Sequence, residues 1–522
     1  MAWVGRIGAP ILALAVYWLL PGAQPWPGAE VDPGALSDAG RAVAAVGVLM
    51  AVLWVTEALP LPATALLPLV LFPVLGVMSP AAAASPFADR VIFLFMGGFM
   101  LALAMERWGL HRRIALATVL LVGTRPPMLI GGFMLATAVL SMWMSNTATT
   151  VMMLPIGVSI IGLTLERLRE AEHEFAFDAD GNPRPLTGAG SLRFATCLML
   201  GIAYAASIGG VGTLIGTPPN AFLAGFVREA YGVDIGFGQW MLVGVPLALV
   251  MLFITWLLLT RVLYPTRIKE LPGGRELIRD ELRKLGPVSR AEWTVMGVFV
   301  FTALSWVLRE PLTRWAWLAD RAPGIRSVDD AAIAIVAAIL LFAIPVNARK
   351  GVFTLNWESA VRLPWGVLLL FGGGLSLAAA VRATGVDAWI GHHVGALDTV
   401  PIIALVLIVI AVVIFLTELT SNTATAATFL PVLGGVALGI GADPLLLIVP
   451  AALAASCAFM MPVATPPNAI VFGSGHVTIG QMVRAGFWLN LISIMLITAA
   501  TYALGAWALG ITIGVSPVNA AP

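Results

Sequence analysis

Long apolar stretches recur along the whole chain and are separated by polar segments. They include residues 43–59, 64–78, 91–105, 240–260, 331–346 and 402–416. Each stretch is long enough, or nearly so, to cross about 30 Å of hydrocarbon as a helix. Helices are expected there because a helix satisfies its own backbone polar groups where no water is present. The pattern therefore predicts an all-α polytopic membrane protein.

The composition agrees with this class. Of the 522 residues, 59% are hydrophobic and 11% are charged, whereas a soluble domain carries about 25% charged residues. A net charge of +1 gives no reason to expect a nucleic-acid partner, and the lipid bilayer is the partner that the composition predicts. Residues 7–20 resemble a signal peptide, but no small-x-small cleavage site follows them. We interpret them as a first transmembrane helix.

Basic residues indicate which loops face the cytoplasm. The densest basic run lies at 261–290, and further basic clusters lie at 107–125 and 349–362. The positive-inside rule places these three segments in the cytoplasm. Loops with almost no basic residues are placed outside, namely 21–40, 79–88, 231–239 and 385–400. The stretch 309–330 is placed outside by counting crossings alone.

Two pairs of segments repeat at a common offset. Residues 95–109 (FMGGFMLALAMERWG) match 371–385 (FGGGLSLAAAVRATG), and the two segments lie 276 positions apart. Residues 141–155 (SMWMSNTATTVMMLP) match 417–431 (TELTSNTATAATFLP) at the same offset. An offset shared over this distance indicates two homologous halves.

A third pair, GTPPN at 216–220 and ATPPN at 464–468, lies 248 positions apart. The first half therefore holds 28 extra residues, which the polar segment 166–193 can supply. An odd number of crossings separates the repeated helices, so the second copy is predicted to be inverted. Inverted repeats are typical of secondary transporters, whose binding site lies near the midplane where the repeats meet.

The predicted layout follows from the repeat. It comprises a first transmembrane helix with an outer loop at 1–40, a first inverted repeat at 41–265 with a hairpin at 127–164, a cytoplasmic linker at 266–290, and a second inverted repeat at 291–515 with a hairpin at 401–440. In each half the Ser-Asn-Thr motif separates two apolar arms whose flanking loops fall on the same side. Each copy is therefore predicted to be a re-entrant hairpin, because irregular backbone at membrane depth requires a buried or wet environment.

The tips of these hairpins carry the chemistry of ion binding. Ser, Asn and Thr are favoured helix N-caps, so each motif is expected to begin the second arm of its hairpin. Free N–H groups and the positive end of the helix dipole then favour an anion. The last carbonyls of the first arm and the side-chain oxygens favour a cation. The consecutive prolines of the T-P-P-N segments predict two broken helices, whose freed carbonyls can also serve as ligands.

The segments that carry these motifs contain no fixed cation. Neither Lys nor Arg occurs in 126–166, 194–227 or 401–483. An unpaired charge at the bilayer centre costs on the order of 3 kcal/mol or more, so a co-bound cation is the cheapest compensation for a bound dianion. Sodium suits the oxygen-rich tips, and co-transported protons would also compensate the charge of the dianion. Glu418 and Glu57 could couple protons or attract cations, but we favour structural roles because neither has a symmetric partner.

These motifs resemble those of the divalent anion/sodium symporter family, which transports dicarboxylates, citrate and sulfate. The resemblance rests on WVTEALPLPATALLP at 54–68, the paired SNT motifs and the paired TPPN segments, and it covers nearly the whole chain. It implies about eleven transmembrane helices with two re-entrant hairpins. It also implies a homodimer in which a scaffold domain supports a transport domain that moves as an elevator.

The resemblance assigns ligands to two sodium sites and one substrate site. The first sodium site would use Ser141, Ser145, Asn146 and Gly216, and the second Thr417, Thr420, Asn422 and Ala464. The substrate would contact Asn146, Thr147, Asn422, Thr423, Thr217, Pro218, Thr465 and Pro466.

The function expected from these features is sodium-coupled symport of a C4-dicarboxylate of the succinate, malate or fumarate type. The alternatives are a sodium-independent dicarboxylate exchanger, a sulfate or citrate transporter of the same family, and an anion channel. No P-loop, nucleophile elbow or H-E-x-x-H motif occurs, so we do not expect an enzyme. The expected location is a bacterial inner membrane, with sodium as the coupling ion.

Overall fold

The computed structural model describes residues 2–22, 35–123, 125–175, 189–265, 274–314, 324, 327–394 and 399–514. Parts of the predicted loops 21–40, 166–193, 266–290, 309–330 and 385–400 lie outside these residues. Within the described part nearly all regular structure is helical, as the apolar pattern predicts.

The helices of the first half run in this order: α1 (Ala2–Leu19), α2 (Asp38–Val55), α3 (Leu61–Ala65), α4 (Leu67–Val74), α5 (Pro80–Ala84), a 3₁₀ turn (Ser85–Ala88), α6 (Arg90–Arg107), α7 (Leu110–Val122), α8 (Pro126–Ser141), α9 (Asn146–Phe175), α10 (Ala189–Val211), α11 (Pro218–Tyr231) and α12 (Phe237–Leu257), which continues as a π-helix (Leu258–Leu263).

The linker and second half follow: α13 (Gly274–Lys284), α14 (Arg290–Arg314), α15 (Asp330–Ala343), β1 (Pro345–Asn347), a 3₁₀ turn (Ala348–Lys350), β2 (Val352–Phe353), α16 (Trp357–Ala360), α17 (Trp365–Ala383), α18 (Val386–His393), α19 (Ile402–Thr417), α20 (Asn422–Gly439), α21 (Leu445–Ala455), α22 (Pro466–Gly473), α23 (Ile479–Ala500), a π-helix (Thr501–Gly505) and α24 (Ala506–Ala508). The two short strands pair antiparallel.

The number of apolar helices agrees with a multi-pass membrane protein. Seven helical stretches in the described part are long and apolar enough to cross a membrane. Four shorter apolar helices outside the hairpins are Gly5–Leu19, Leu61–Val74, Asp330–Ala343 and Leu445–Ala455. The seven longer helices can each cross alone, whereas the shorter ones include part of a broken helix, Leu445–Ala455, with 11 residues.

The two halves repeat the same order of elements. The hairpin α8–α9 and the broken helix α10–α11 of the first half correspond to the hairpin α19–α20 and the broken helix α21–α22 of the second. The second arm of each hairpin packs against the broken helix of the opposite half, α9 on α22 and α20 on α11. This exchange brings the two hairpin tips to the same place, where the two helices break.

The helix boundaries follow local rules at these breaks. Pro218 and Pro466 occupy the first positions of α11 and α22, where the missing N–H costs no hydrogen bond. Ser145 caps α9, since its hydroxyl accepts the Ala148 N–H at 3.2 Å. The second arm of the first hairpin extends to Phe175, twelve residues beyond the length of its counterpart α20, which has 18 residues against 30.

Small residues allow the first hairpin to approach the centre of the molecule. Residues 194–211 of α10 are all buried, and α8 packs along them. A Cβ atom added at Gly209 would lie 2.3 Å from the Ala138 carbonyl oxygen. The two backbones therefore touch at this point, as small residues permit between helices in membranes.

The linker helix α13 docks on the first half. Ile278 is buried, and Glu281 accepts a hydrogen bond from Arg112 of α7 at 2.7 Å. A hydrogen bond from Lys284 is the main reason why the pKa of Glu281 is lowered from its usual value. Beside this contact, Arg113 of α7 pairs with the buried Glu292 of α14 at 2.6 Å. Helix α13 is thus tied to α7 by the Arg112–Glu281 pair.

Candidate functional site

The tips of the two hairpins face one chamber of about 950 Å³. Every residue predicted to contact the substrate lines it: Asn146, Thr147, Thr217, Pro218, Asn422, Thr423, Thr465 and Pro466. The predicted sodium ligands Ser145, Gly216, Thr420 and Ala464 line it as well. The fold therefore gathers the doubled motifs of both halves around a single space.

The first tip contains a close group of oxygen ligands. Ser141 is fully buried behind the tip, and its hydroxyl lies 2.7 Å from both the Asn146 side-chain amide and the Ala206 carbonyl oxygen. The same amide atom of Asn146 lies 3.1 Å from the Ala206 oxygen and 3.3 Å from the Gly216 carbonyl oxygen. The carbonyl of Gly216 is free to point here because α10 ends at Val211 and α11 begins only at Pro218.

The chemistry of this group depends on which atom of the amide faces it. With the nitrogen inward, Asn146 can donate hydrogen bonds to these oxygens. With the oxygen inward, four oxygen atoms from Asn146, Ser141, Ala206 and Gly216 converge, an arrangement that can coordinate a cation. Neutral oxygen atoms at such spacing are the ligands that a small hard cation prefers.

The second tip repeats this arrangement with different residues. Thr417 is fully buried and its hydroxyl lies 2.7 Å from Asn422 Oδ1 and 3.1 Å from the Ala455 carbonyl oxygen. The Thr420 hydroxyl instead contacts the Leu416 carbonyl at 3.0 Å and the Thr425 hydroxyl at 2.7 Å. Ser141 and Thr417 thus lie behind the tips, while Asn146 and Asn422 lie between them and the chamber.

The asparagines of the T-P-P-N segments hold the helix breaks open, a role that sequence reasoning missed. Asn220 donates from Nδ2 to the Thr213 carbonyl oxygen at 2.9 Å. Its counterpart Asn468 donates to the Met461 carbonyl oxygen at 3.0 Å. These carbonyls occupy the same positions in the two repeats, since both pairs are separated by the 248-residue offset. The sequence did contain a signal for this role, because the fourth residue of both T-P-P-N segments is an asparagine.

Glu418 joins the second tip to the break of the second broken helix. The side chain is 3% exposed, and Asn490 Nδ2 donates to its carboxylate at 2.7 Å. Three backbone N–H groups also donate to it, from Phe459 at 2.7 Å, Met460 at 2.9 Å and Met461 at 3.0 Å. This geometry fits the structural carboxylate that we favoured, because every donor is neutral and fixed.

The two tips differ in what surrounds them. Trp143, just before the first tip, stacks on Phe237 with ring centroids 5.9 Å apart and on Trp306 at 6.3 Å. Leu419 occupies the equivalent position of the second tip, and its side chain is 72% exposed. The first tip is therefore braced by aromatic rings, whereas the second projects an uncovered leucine into the chamber.

Three charged side chains also line the chamber: Glu57, Glu106 and Arg362. Glu57 adopts φ = 48°, the one positive φ of a non-glycine residue in the described chain, and such backbone strain is often found at functional sites. Sequence reasoning found no cation in the segments of the tips and assigned Arg362 to a cytoplasmic segment. Folding brings Arg362 to the wall of the chamber, so the chamber does contain one fixed cation.

These features define the class of protein. Apolar helices, two hairpins with polar tips and two broken helices surround one chamber, which is the architecture of a multi-pass membrane transporter. The chain belongs to the family described as "Sodium:sulfate symporter transmembrane region", whose model matches residues 7–511.

Relatives within this family cover nearly the whole chain. The sodium-dependent dicarboxylate transporter SdcS of Staphylococcus saprophyticus is 43% identical over 480 residues, which are 92% of this chain and 88% of the relative. The protein of the same name from Staphylococcus aureus (strain USA300) is 43% identical over 512 residues, 98% of this chain and 92% of the relative.

Two solved structures share the fold. MtrF of Neisseria gonorrhoeae, linked to a class of antimetabolite efflux pumps, superposes with a TM-score of 0.58 at 12% identity, over 99% of this chain and 96% of its own. The YdaH transporter of Alcanivorax borkumensis, described as having an unusual topology, gives a TM-score of 0.59 at 14% identity, over 97% and 99% of the two chains. At these identities the likeness concerns the fold alone.

Proposed function

We propose that this protein is a secondary active transporter that carries a C4-dicarboxylate of the succinate, malate or fumarate type together with sodium. The observation that carries the proposal is the pair of asparagines, Asn146 and Asn422, which lie between a shared chamber and two groups of oxygen ligands. Relatives of 43% identity that are named sodium-dependent dicarboxylate transporters support the choice of substrate and ion.

Sodium would bind behind the tips. The first site would use Ser141, Ser145, Asn146 and the carbonyl of Gly216, and the second would use Thr417, Thr420, Asn422 and the carbonyl of Ala464. Each site combines side-chain oxygens with a carbonyl from a helix break, and such uncharged oxygen ligands suit Na⁺. Ser141 and Thr417 are fully buried, which would shield the ions from water.

The dicarboxylate would bind on the chamber side of the same tips. The Thr147 and Thr423 hydroxyls and the asparagine amides are neutral donors for carboxylate oxygens. The N-terminal ends of α9 and α20 begin at Asn146 and Asn422, and their dipoles favour a bound anion. Thr217, Pro218, Thr465 and Pro466 would form the walls between the tips.

Coupling would follow from this shared geometry. Each asparagine would contribute to a sodium site and to the substrate site, so a bound ion would fix the amide in the orientation that the substrate requires. Sodium would also offset the charge of the dianion, which is costly at the centre of a membrane. We propose that the hairpins and broken helices move as a transport domain against a scaffold domain within a homodimer in the plasma membrane.

Replacement of either asparagine tests the proposal. Asn146→Ala and Asn422→Ala are each expected to lower sodium-dependent succinate uptake by about tenfold or more, because a sodium ligand and a substrate donor are lost together. The measurement is uptake of labelled succinate into proteoliposomes under an inward sodium gradient, compared with an equal choline gradient. Asn347→Ala is a matched control, since Asn347 is exposed and caps a short turn outside the chamber.

Two outcomes would contradict the proposal. Uptake by the unaltered protein that ignores sodium but rises with preloaded dicarboxylate would identify an exchanger. Uptake of sulfate or citrate without uptake of succinate would overturn the choice of substrate while leaving the sodium sites open to test.

A further inference from the structure

Arg362 is the one cationic residue among the described residues that line the chamber. The hairpin tips offer only neutral donors to an anion, and the other charged residues of the wall, Glu57 and Glu106, would repel one. Arg362 therefore supplies the sole positive charge that an entering or leaving dianion meets along the described wall. A guanidinium matches the planar, two-oxygen geometry of a carboxylate.

The guanidinium of Arg362 is free to bind an anion. The side chain is exposed, and it makes no hydrogen bond or ion pair with any described residue. Some other arginines of the described chain are paired with carboxylates, for example Arg112 with Glu281 and Arg309 with Asp330. Glu57 and Glu106 line the same chamber, yet neither forms an ion pair with Arg362.

The backbone that carries Arg362 is held in place. The segment before it is tied to the end of α6, where Arg107 donates to Asn356 Oδ1 at 3.0 Å and Trp108 donates to the Thr354 carbonyl oxygen at 2.7 Å. After it, α17 packs tightly on α3, because a Cβ atom added at Gly366 would lie 2.7 Å from Pro62 Cγ. The backbone at Arg362 is thus fixed by these contacts, and only the side chain that carries the charge is free to move.

The predicted topology indicates on which side of the membrane Arg362 lies. Arg362 lies in the basic segment 349–362, and Glu106 directly precedes the basic cluster 107–125, and the positive-inside rule places both segments on the cytoplasmic side. Because both residues line the chamber, the predicted topology places this part of the chamber wall on the cytoplasmic side. A solute that enters from or leaves to the cytoplasm must pass Arg362, whereas Arg362 lies on neither hairpin and so is separate from the tips.

We propose that Arg362 is a carboxylate-capture residue on the cytoplasmic face, which sets the affinity for dicarboxylate on that face and not on the outer face. This inference rests on the proposed function, since it assumes that a dicarboxylate uses the chamber. Arg362 acts as a positioning residue ahead of the tips. Its attraction for a dianion offsets the repulsion by Glu57 and Glu106.

The test compares the two faces of the membrane. Succinate uptake is measured in right-side-out and inside-out membrane vesicles at saturating sodium, with KM determined for each face. For Arg362→Gln, KM at the cytoplasmic face is expected to rise about fivefold, the effect of one partly screened charge close to another. KM at the outer face is expected to stay unchanged, and Arg362→Lys is expected to keep most of the wild-type affinity.

The dependence of KM on ionic strength distinguishes an electrostatic role of Arg362 from a merely structural one. The difference between the wild type and Arg362→Gln at the cytoplasmic face is expected to shrink when choline chloride raises the ionic strength, because salt screens exposed charges. Arg349→Gln is the matched control. Arg349 is also basic and exposed and lies in the same cytoplasmic segment, but it does not line the chamber.

The inference fails if Arg362→Gln leaves cytoplasmic KM unchanged, or if KM rises equally on both faces. It also fails if Arg362→Lys behaves like Arg362→Gln, because the positive charge would then be irrelevant. Absence of sodium-driven uptake by the wild type would instead overturn the proposed function, so the two failures are distinguishable. Size-exclusion profiles of both variants confirm that each remains folded.

Discussion

Gly210→Ala is expected to reduce sodium-dependent transport on the order of 100-fold, the penalty typical of a functional group displaced by about 1 Å. A Cβ atom added at Gly210 would lie 2.7 Å from Asn146 Oδ1 and 3.0 Å from the Gly216 carbonyl oxygen. Both atoms belong to the oxygen group of the first tip. The asparagine amide must move away, and the group formed by Asn146, Ser141, Ala206 and Gly216 opens.

The readout is uptake as a function of sodium concentration. The half-saturating sodium concentration is expected to rise steeply for Gly210→Ala, with part of the activity recovered at high sodium. Gly297→Ala serves as the control, since a Cβ atom there meets nothing within 4 Å. Unaltered sodium dependence in Gly210→Ala would show that the close approach of Gly210 to Asn146 has no part in sodium binding.

The repeat supplies a second control for the same position. The residue equivalent to Gly210 in the second half is Ala458, at the 248-residue offset. The second tip therefore already accommodates a methyl group where the first does not. Ala458→Gly is expected to change sodium dependence far less than Gly210→Ala does, because it removes a methyl group instead of forcing one against the tip.

Glu418→Ala is expected to destabilise the second tip severely. The substitution removes the acceptor of three backbone N–H groups and of the Asn490 amide. Each buried donor left without a partner costs about 1–3 kcal/mol, so the total loss is several kcal/mol. The expected result is a large fall in the melting temperature of the purified protein, together with loss of monodisperse protein on size-exclusion chromatography.

Glu418→Gln separates the hydrogen bonds from the charge. A glutamine keeps the size of the side chain and one acceptor oxygen, so we expect an intermediate melting temperature. Ser474→Ala provides a reference for an ordinary loss, since the Ser474 hydroxyl makes two local bonds outside this network, donating to the Val471 carbonyl oxygen and accepting from the His476 N–H. A melting temperature unchanged by both Glu418 substitutions would contradict the structural role. Transport that depends on pH in the wild type but not in Glu418→Gln would instead favour proton coupling through Glu418.

The main architecture could be predicted from sequence because it rests on local signals and on internal repetition. Ser-Asn-Thr favours a helix start, and α9 and α20 do begin at Asn146 and Asn422. Double prolines favour a break, and α11 and α22 begin at Pro218 and Pro466. The doubled offsets then imply that each half contributes one hairpin tip and one helix break.

The features that sequence reasoning missed depend on contacts between distant parts of the chain. The donors to Glu418 come from residues 41 to 72 positions away, and no residue near Glu418 in the sequence predicts them. Arg362 reaches the chamber because α17 packs on α3, a contact made between Gly366 and Pro62. No periodicity or motif predicts the contact between α17 and α3, so the sequence alone placed the charge of Arg362 in a cytoplasmic segment.

The two proposed sodium sites behind the tips have an electrical consequence. Two sodium ions would balance a dicarboxylate, so a carrier loaded with one ion at each proposed site would move no net charge and do no work against the membrane voltage. Each further cation adds one charge, worth about 2.3 kcal/mol for every 100 mV of membrane potential. A current recorded during transport therefore counts the cations beyond these two, one elementary charge per dicarboxylate for each additional ion.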